Sequence, residues 1–95
     1  MIKLLKIRPS DKATKKYDAT FTIDGKQRVV SFGAKGYSDF IQHKNEARKN
    51  AYLARHKTTE NWNNPVTPGA LSRWILWNKT TLKDSISDYI RRFNL

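Results

Sequence analysis

The sequence predicts an α+β fold, in which a small antiparallel β-meander of about three strands precedes three to four short helices. Polar and apolar residues alternate through part of the first third of the chain, which is the period of a half-buried strand. From about residue 46 onward, apolar residues recur at helical spacing instead. Strands followed by helices are typical of the α+β class. We therefore expect one domain over residues 1–95, with a β-meander over 1–32 and a helical part over 37–95.

The strands are predicted from alternation and from one turn. Apolar side chains occupy the odd positions of residues 17–23, and Asp24-Gly25 follows. This residue pair favours a type I′ hairpin turn, because both central positions take positive φ. The return strand is expected over Lys26–Phe32, and residues 2–8 are expected to add a third strand.

Three segments of the second half have helical patterns. Alanines at helical spacing predict a helix from about Glu46 to Lys57. Thr67 is placed to cap the next helix, with Pro68 at its first position, where a missing N–H costs nothing. The last helix is expected to begin after Thr81, with an apolar face made of Leu82, Ile86, Tyr89 and Phe93.

Composition limits the classes of function. The chain has 95 residues, no cysteine, and 19 Lys or Arg against 8 Asp or Glu, for a net charge of +11. Disulfides, thiolate zinc sites and cysteine nucleophiles are therefore excluded. No apolar run approaches the ~20 residues of a membrane span, and cations interrupt the opening residues, so neither a span nor a signal peptide is expected. The expected partners are acidic protein surfaces or the phosphates of DNA or RNA.

A basic stripe is the most informative pattern. On one helix, Lys44, Arg48, Tyr52, Arg55 and His56 would share a face. Cations in a row repel each other, so a helix that gathers them usually faces an anion. Tyr52 could stack on a base or ribose. The alternative is a solvated helix face, and the pattern leaves both open.

Further candidates lie on either side of this stripe. In Gly33-Ala34-Lys35-Gly36, the glycines could turn backbone N–H groups toward an anion, although a plain turn is favoured. Arg73 and Trp77 lie beside each other in turn geometry. The complete predicted anion- or partner-binding set is Lys35, Lys44, Arg48, Tyr52, Arg55, His56, Arg73 and Trp77.

The two other tryptophans are assigned to packing. Trp74 shares a face with Leu71 and is expected in the core. Trp62 lies in a polar loop, where an indole either covers a small core or anchors a partner, and we favour the cover.

Two histidine–glutamate pairs are the features of the sequence that suggest an enzymatic role. His43 with Glu46 and His56 with Glu60 have spacings that can converge on a metal ion. Against this, the histidines are separated by a possible helix break and lie among cations. We therefore predict no catalytic residues, no metal ligands, no cofactor and no small-molecule substrate.

Aromatic and basic residues form a specific pattern over about residues 29–93. It consists of Phe32–Phe40, His43-Lys44, Arg48, Tyr52, Arg55-His56, Trp62, Pro65, Thr67, Gly69, Ser72–Trp74, Leu76–Lys79 and Ser85-Ile86. This pattern resembles a family of small basic proteins of unknown function encoded by large nucleocytoplasmic DNA viruses. The resemblance implies a viral origin and a location in the virion, or in the host cytoplasm or nucleus during infection.

Three functions are ranked from these observations. The first is a non-enzymatic virion protein, a minor capsid or cement component that binds acidic surfaces of larger capsid proteins. The second is a nucleic-acid-binding protein that contacts phosphates through the basic helix, in genome packaging or condensation. A metal-dependent nuclease is a distant third. Charge on every face would favour the first function, and one concentrated basic patch would favour the second.

Overall fold

The structure confirms the predicted α+β fold. It is a computed structural model that describes all residues from 1 to 95. A π-helical turn, Ser72–Leu76, directly follows the helix that ends at Leu71. No helix has both the length and the apolar character needed to cross a bilayer. The elements are β1 Ile2–Pro9, β2 Lys15–Ile23, β3 Lys26–Ala34, α1 Phe40–His43, α2 Glu46–His56, α3 Pro68–Leu71 and α4 Leu82–Phe93.

The three strands form one antiparallel sheet in the order β1-β2-β3. Asp24 and Gly25 join β2 to β3 with φ values of 51° and 84°. Both values are positive, as the predicted type I′ turn requires. β3 extends two residues beyond its predicted end, to Ala34.

A β-bulge in β1 determines which of its side chains lie on each face of the sheet. The register shifts between Leu4 and Lys6, which leaves Leu5 half-exposed at the bulge. Successive side chains of a strand alternate between faces, and one extra residue reverses that alternation. The bulge therefore places all three cations of β1 on the face opposite the core. Lys3, Lys6 and Arg8 pair with Thr22, Thr20 and Asp18, whereas Leu4 and Ile7 pair with the buried Phe21 and Ala19.

The core lies between the other face of the sheet and the helices after residue 67. It contains fully buried side chains from β2, β3, α3, the π-helical turn and α4, with Phe21, Phe32, Leu71, Ile75 and Tyr89 as the largest apolar ones. The Tyr89 hydroxyl donates a 2.6 Å hydrogen bond to the carbonyl of Pro65. Trp74, predicted to lie in the core, is instead partly buried and packs against the margin of the core.

Side-chain caps begin the helices where the sequence predicts them. The Thr67 hydroxyl accepts from the backbone N–H of Ala70, and Thr81 accepts from that of Asp84, both at 3.2 Å. These bonds satisfy donors that have no partner within the helix.

The basic stripe needs one correction at its start. Lys44 does not belong to α2. It lies between α1 and α2 in the left-handed conformation, with φ of 54°, and its Nζ donates to the carbonyl of Ile41 at 2.6 Å. Asn45 then caps α2 by accepting from the N–H of Arg48. The prediction that Lys44 extends the helical stripe is therefore wrong, because α1 ends in a left-handed residue that interrupts the helix.

Gly33 lies where the sheet packs closely against the π-helical turn. Its φ is 78°, and a Cβ atom there would lie 2.8 Å from Cδ1 of Leu76 and 3.1 Å from Cβ of Lys16. Gly36 has a similar φ of 89°, but a Cβ atom there would meet nothing within 4 Å.

These two glycines give a matched pair of variants. Both alanine variants carry the left-handed penalty of about 1–2 kcal/mol. Gly33→Ala should add an overpacking penalty of about 1–3 kcal/mol. We expect the free energy of unfolding, measured by urea titration, to fall more for Gly33→Ala than for Gly36→Ala. Equal losses of unfolding free energy in the two variants would show that the side chains of Leu76 and Lys16 move aside without an overpacking penalty.

Candidate functional site

A cleft of about 660 Å³ opens between α2 and the segment that joins β3 to α1. The π-helical turn and the residue after it form part of its wall. The structure brings five of the eight predicted site residues to this cleft: Arg48, Tyr52, Arg55, His56 and Trp77.

Three aromatic rings are stacked in the wall of the cleft. The Tyr52 ring lies 4.1 Å from that of Trp77 with an interplanar angle of 3°, and 4.2 Å from that of His56 with an angle of 25°. Two rings this close to Tyr52 must lie on its opposite faces. Burial raises the pKa of Tyr52 to about 12, so its phenol stays neutral. Both faces of Tyr52 are covered, so the prediction that it stacks on a base is wrong; it anchors α2.

The π-helical turn presents Trp77 to this stack. The N–H of Trp77 donates to the carbonyl of Ser72, five residues earlier, at 3.0 Å. A turn of this kind inserts a residue into the helix and redirects the side chains that follow. Next to it, Nζ of Lys49 on α2 donates to the carbonyl of Asn78 at 2.8 Å. Stacking and this hydrogen bond together fasten α2 to the segment after the turn.

Arg73 lies outside the cleft. Its guanidinium packs 4.1 Å from the ring centroid of Trp74 and 5.5 Å from that of Trp62, and its Nη1 donates to the carbonyl of Trp77 at 2.8 Å. Burial lowers the pKa of Arg73. In this position the side chain supports the π-helical turn and does not join the other cations of the predicted set.

Trp62, predicted to cover the core, covers the side chain of Arg73 instead. Its ring lies over the Arg73 guanidinium, its Nε1 donates to Glu60 at 3.0 Å, and its carbonyl accepts from Nε1 of Trp74. The loop is thereby held against the π-helical turn.

One ion pair lies in the wall of the cleft. Nζ of Lys16 is 2.6 Å from Oδ2 of Asp39, and both side chains are largely buried. Asp39 also caps α1, accepting from the N–H of Gln42 at 3.1 Å. This pair compensates two charges that would be costly to bury separately.

Three other cations of the cleft have no ion-pair partner within the protein. They are Lys15, Arg48 and Arg55. Arg48 and Arg55 are both exposed on one side of α2, whereas Nδ1 of His56 lies 3.4 Å from Glu60. The cleft is therefore positively charged, with guanidinium groups available to a ligand.

A second cavity of about 560 Å³ adjoins the first. The segment Tyr37–Asp39 lines both cavities, and Lys35 lines the second one only. The N–H of Lys35 donates to the carbonyl of Thr14 at 3.0 Å, and that of Tyr37 donates to Ala34 at 3.4 Å. The glycine-rich segment is thus a turn, as favoured, and these two N–H groups are not available to an anion.

Sequence reasoning missed Tyr37, Lys15 and the Lys16–Asp39 pair. Tyr37 is 75% exposed and lies on the boundary between the two cavities. The available signal was an aromatic residue directly after a glycine turn in a basic segment. Lys15 and Lys16 gave no signal, because a strand of alternating residues does not reveal which helix will lie near its end.

The two histidines lie at opposite ends of the ring series. His43 is 5.3 Å from Trp77, whereas His56 lies on the far side of Tyr52. Nδ1 of His43 accepts from the N–H of Asn45 at 2.9 Å, and burial, with Arg48 nearby, lowers the pKa of His43. His, Asp and Glu side chains form no group of three or more that could hold a metal ion.

Comparison with protein families gives one assignment. Residues 5–56 match a family of unknown function, DUF5754, over more than half of the chain. The chain belongs to this family. The DUF5754 match runs from the bulge of β1 to the end of α2, so it includes Arg48, Tyr52, Arg55 and His56 but not Trp77. No curated protein and no solved structure matches the chain.

Proposed function

We propose that this chain is a small, non-enzymatic nucleic-acid-binding protein that contacts phosphates through the cleft beside α2. The observation that carries the proposal is the pair Arg48 and Arg55. Both residues are exposed, line the same cleft and make no ion pair within the protein. At 1.5 Å per residue, their positions are about 10 Å apart along the helix axis.

The chemistry of these cations suits phosphate. Arginine presents a planar fork of donors that matches a phosphate group, and it stays charged at any physiological pH. Lys15 adds a third unpaired cation at the cleft. The net charge of +11 gives the whole molecule an attraction for a polyanion over a longer range.

Salt dependence of binding tests this proposal. The equilibrium affinity for a fluorescently labelled 12-nucleotide oligonucleotide would be measured by anisotropy at several salt concentrations. For single strands, log affinity falls against log salt with a slope of about −0.7 for each neutralised phosphate. Three contacting cations predict a slope of about −2. Binding that is absent, or insensitive to salt, would refute the proposal.

A role in the virion shell is the second proposal. It is favoured by a different observation, the outward row of Lys3, Lys6 and Arg8 on the sheet face opposite the core. Cations on a second face suit a protein held between acidic neighbours, such as a minor capsid or cement component of a large DNA virus. Mass spectrometry of purified virions, separated into shell and genome-core fractions, distinguishes the two. A fixed ratio to the major shell protein supports this role, and recovery only with the genome contradicts it.

A further inference from the structure

We propose that the two adjoining cavities form one groove for a single-stranded segment of nucleic acid, with a base stacked on Tyr37. This inference rests on the proposed nucleic-acid-binding function and names the form of nucleic acid that the site prefers. The observations that support it are the shared lining of the two cavities, the exposure of one aromatic ring, and the unpaired cations that line each cavity.

The two cavities adjoin along the segment before α1. They share a common boundary, where the exposed side chains are Tyr37 and Ser38 and the aromatic one is Tyr37. A strand that passes from one cavity to the other would run along this boundary, beside the Tyr37 ring. The shared lining residues are Lys16, Tyr37, Ser38, Asp39 and Leu76.

Tyr37 is the aromatic residue of this groove with a ring available to a ligand. Its ring makes no stacking contact with another aromatic side chain and carries no cation. In contrast, Tyr52 and Trp77 are stacked on each other, and Tyr17, which lines the second cavity, is stacked on Phe32. A tyrosine that is 75% exposed gains nothing from the protein core, whereas stacking on a base would bury it.

Unpaired cations line both of the cavities that meet at Tyr37. Lys35 lines the second cavity, and Arg48 and Arg55 line the first. Between them, the charge of Lys16 is already matched by Asp39. A strand whose base stacks on Tyr37 would thus have cations near the phosphates on either side of that base. This is the arrangement by which basic grooves with aromatic platforms hold single strands.

A duplex would not satisfy this arrangement. Its bases are stacked on one another, so it offers phosphates and groove edges but no base face to Tyr37. The cations alone would bind a duplex, and the ring would add nothing. Dependence on Tyr37 is therefore the property that separates single-strand recognition from general attraction to phosphates.

The test compares Tyr37→Ala and Tyr37→Phe on three probes: a 12-nucleotide oligothymidylate, a 12-base-pair duplex and thymidine monophosphate. We expect Tyr37→Ala to weaken oligothymidylate binding on the order of 10- to 100-fold, and Tyr37→Phe to retain it within about twofold. Duplex affinity should be unchanged by either variant. The matched control is Val29→Ala, which shortens an exposed apolar side chain on β3, away from Tyr37. This variant should change neither the oligothymidylate affinity nor the duplex affinity.

The outcomes separate this inference from the function on which it rests. If wild type binds with the expected salt dependence but Tyr37→Ala leaves oligothymidylate affinity unchanged, the inference fails and the proposed function stands. The same holds if duplex binding depends equally on Tyr37, or if thymidine monophosphate binds as tightly as the oligonucleotide. If no probe binds, both fail. The inference is supported if Tyr37→Ala weakens binding of the oligothymidylate but not of the duplex, and if Tyr37→Phe binds the oligothymidylate as wild type does.

Discussion

Replacing both Arg48 and Arg55 with Gln is expected to weaken binding of a single-stranded oligonucleotide about 30-fold at physiological salt. Each guanidinium is exposed and unpaired in the cleft, so each is available for a phosphate contact. A net contribution on the order of 1 kcal/mol for each contact gives the combined effect. The slope of log affinity against log salt should become shallower by about 1.4, since two phosphates are no longer neutralised.

The stability of the fold should not change with this double variant. Neither arginine makes an ion pair within the protein, and surface substitutions of this kind are usually within about 0.5 kcal/mol. Gln keeps most of the aliphatic stem and a good helix propensity. A weaker complex with an unchanged urea midpoint would therefore report the contact itself.

Arg28→Gln combined with Lys83→Gln is the matched control. It removes the same two positive charges from exposed positions that line neither cavity. If this control weakens binding as much as the Arg48 and Arg55 variant does, affinity depends on net charge and the cleft has no special role. A clear difference between the two variants places the contact at α2.

The parts of the fold that the sequence predicted are those that local chemistry decides. The Asp24-Gly25 turn and the caps at Thr67 and Thr81 each depend on a few neighbouring residues. The bulge at Leu5 is different, because it becomes visible only when the pairing of β1 with β2 is known. Without it, alternation alone would place Lys3 and Lys6 on opposite faces.

The candidate site was predictable in one part only. Helical periodicity correctly placed Arg48 and Arg55 on one side of α2. It wrongly extended the stripe to Lys44, because a helical period cannot show where a left-handed residue interrupts the chain. The approach of Tyr37 to the same cleft depends on tertiary packing and has no counterpart in local spacing.

The cleft depends on how α2 is held. The π-helical turn directs Trp77 toward Tyr52, and a contact between rings 25 residues apart in sequence fixes the helix that carries the two arginines. Tyr52, predicted to contact the ligand, thus positions the helix whose two arginines we propose as the phosphate contacts. A variant of the stack can therefore be tested both for protection of α2 and for oligonucleotide affinity.

Trp77→Ala is expected to release α2 from the rest of the protein. The variant removes an indole that stacks on Tyr52 at 4.1 Å and leaves a gap beside the π-helical turn. Truncation of a large aromatic residue costs about 3–5 kcal/mol where it is well packed, and Trp77 is partly buried, so we expect about 3 kcal/mol. Hydrogen exchange should report loss of protection in amides 46–56 before those of β2, because the stack and the Lys49 hydrogen bond fasten α2 to the segment after the turn.

Oligonucleotide binding should weaken in the same variant although Arg48 and Arg55 remain. A mobile α2 must be ordered again on binding, and that entropy opposes the complex. Phe93→Ala is the matched control, since this partly buried ring packs on Trp74 and Tyr89 and not against α2. Protection of α2 and oligonucleotide affinity should both survive Phe93→Ala. If Trp77→Ala leaves the amides of α2 as protected as in wild type, the stack does not hold the helix, and the π-helical turn does not position the cleft.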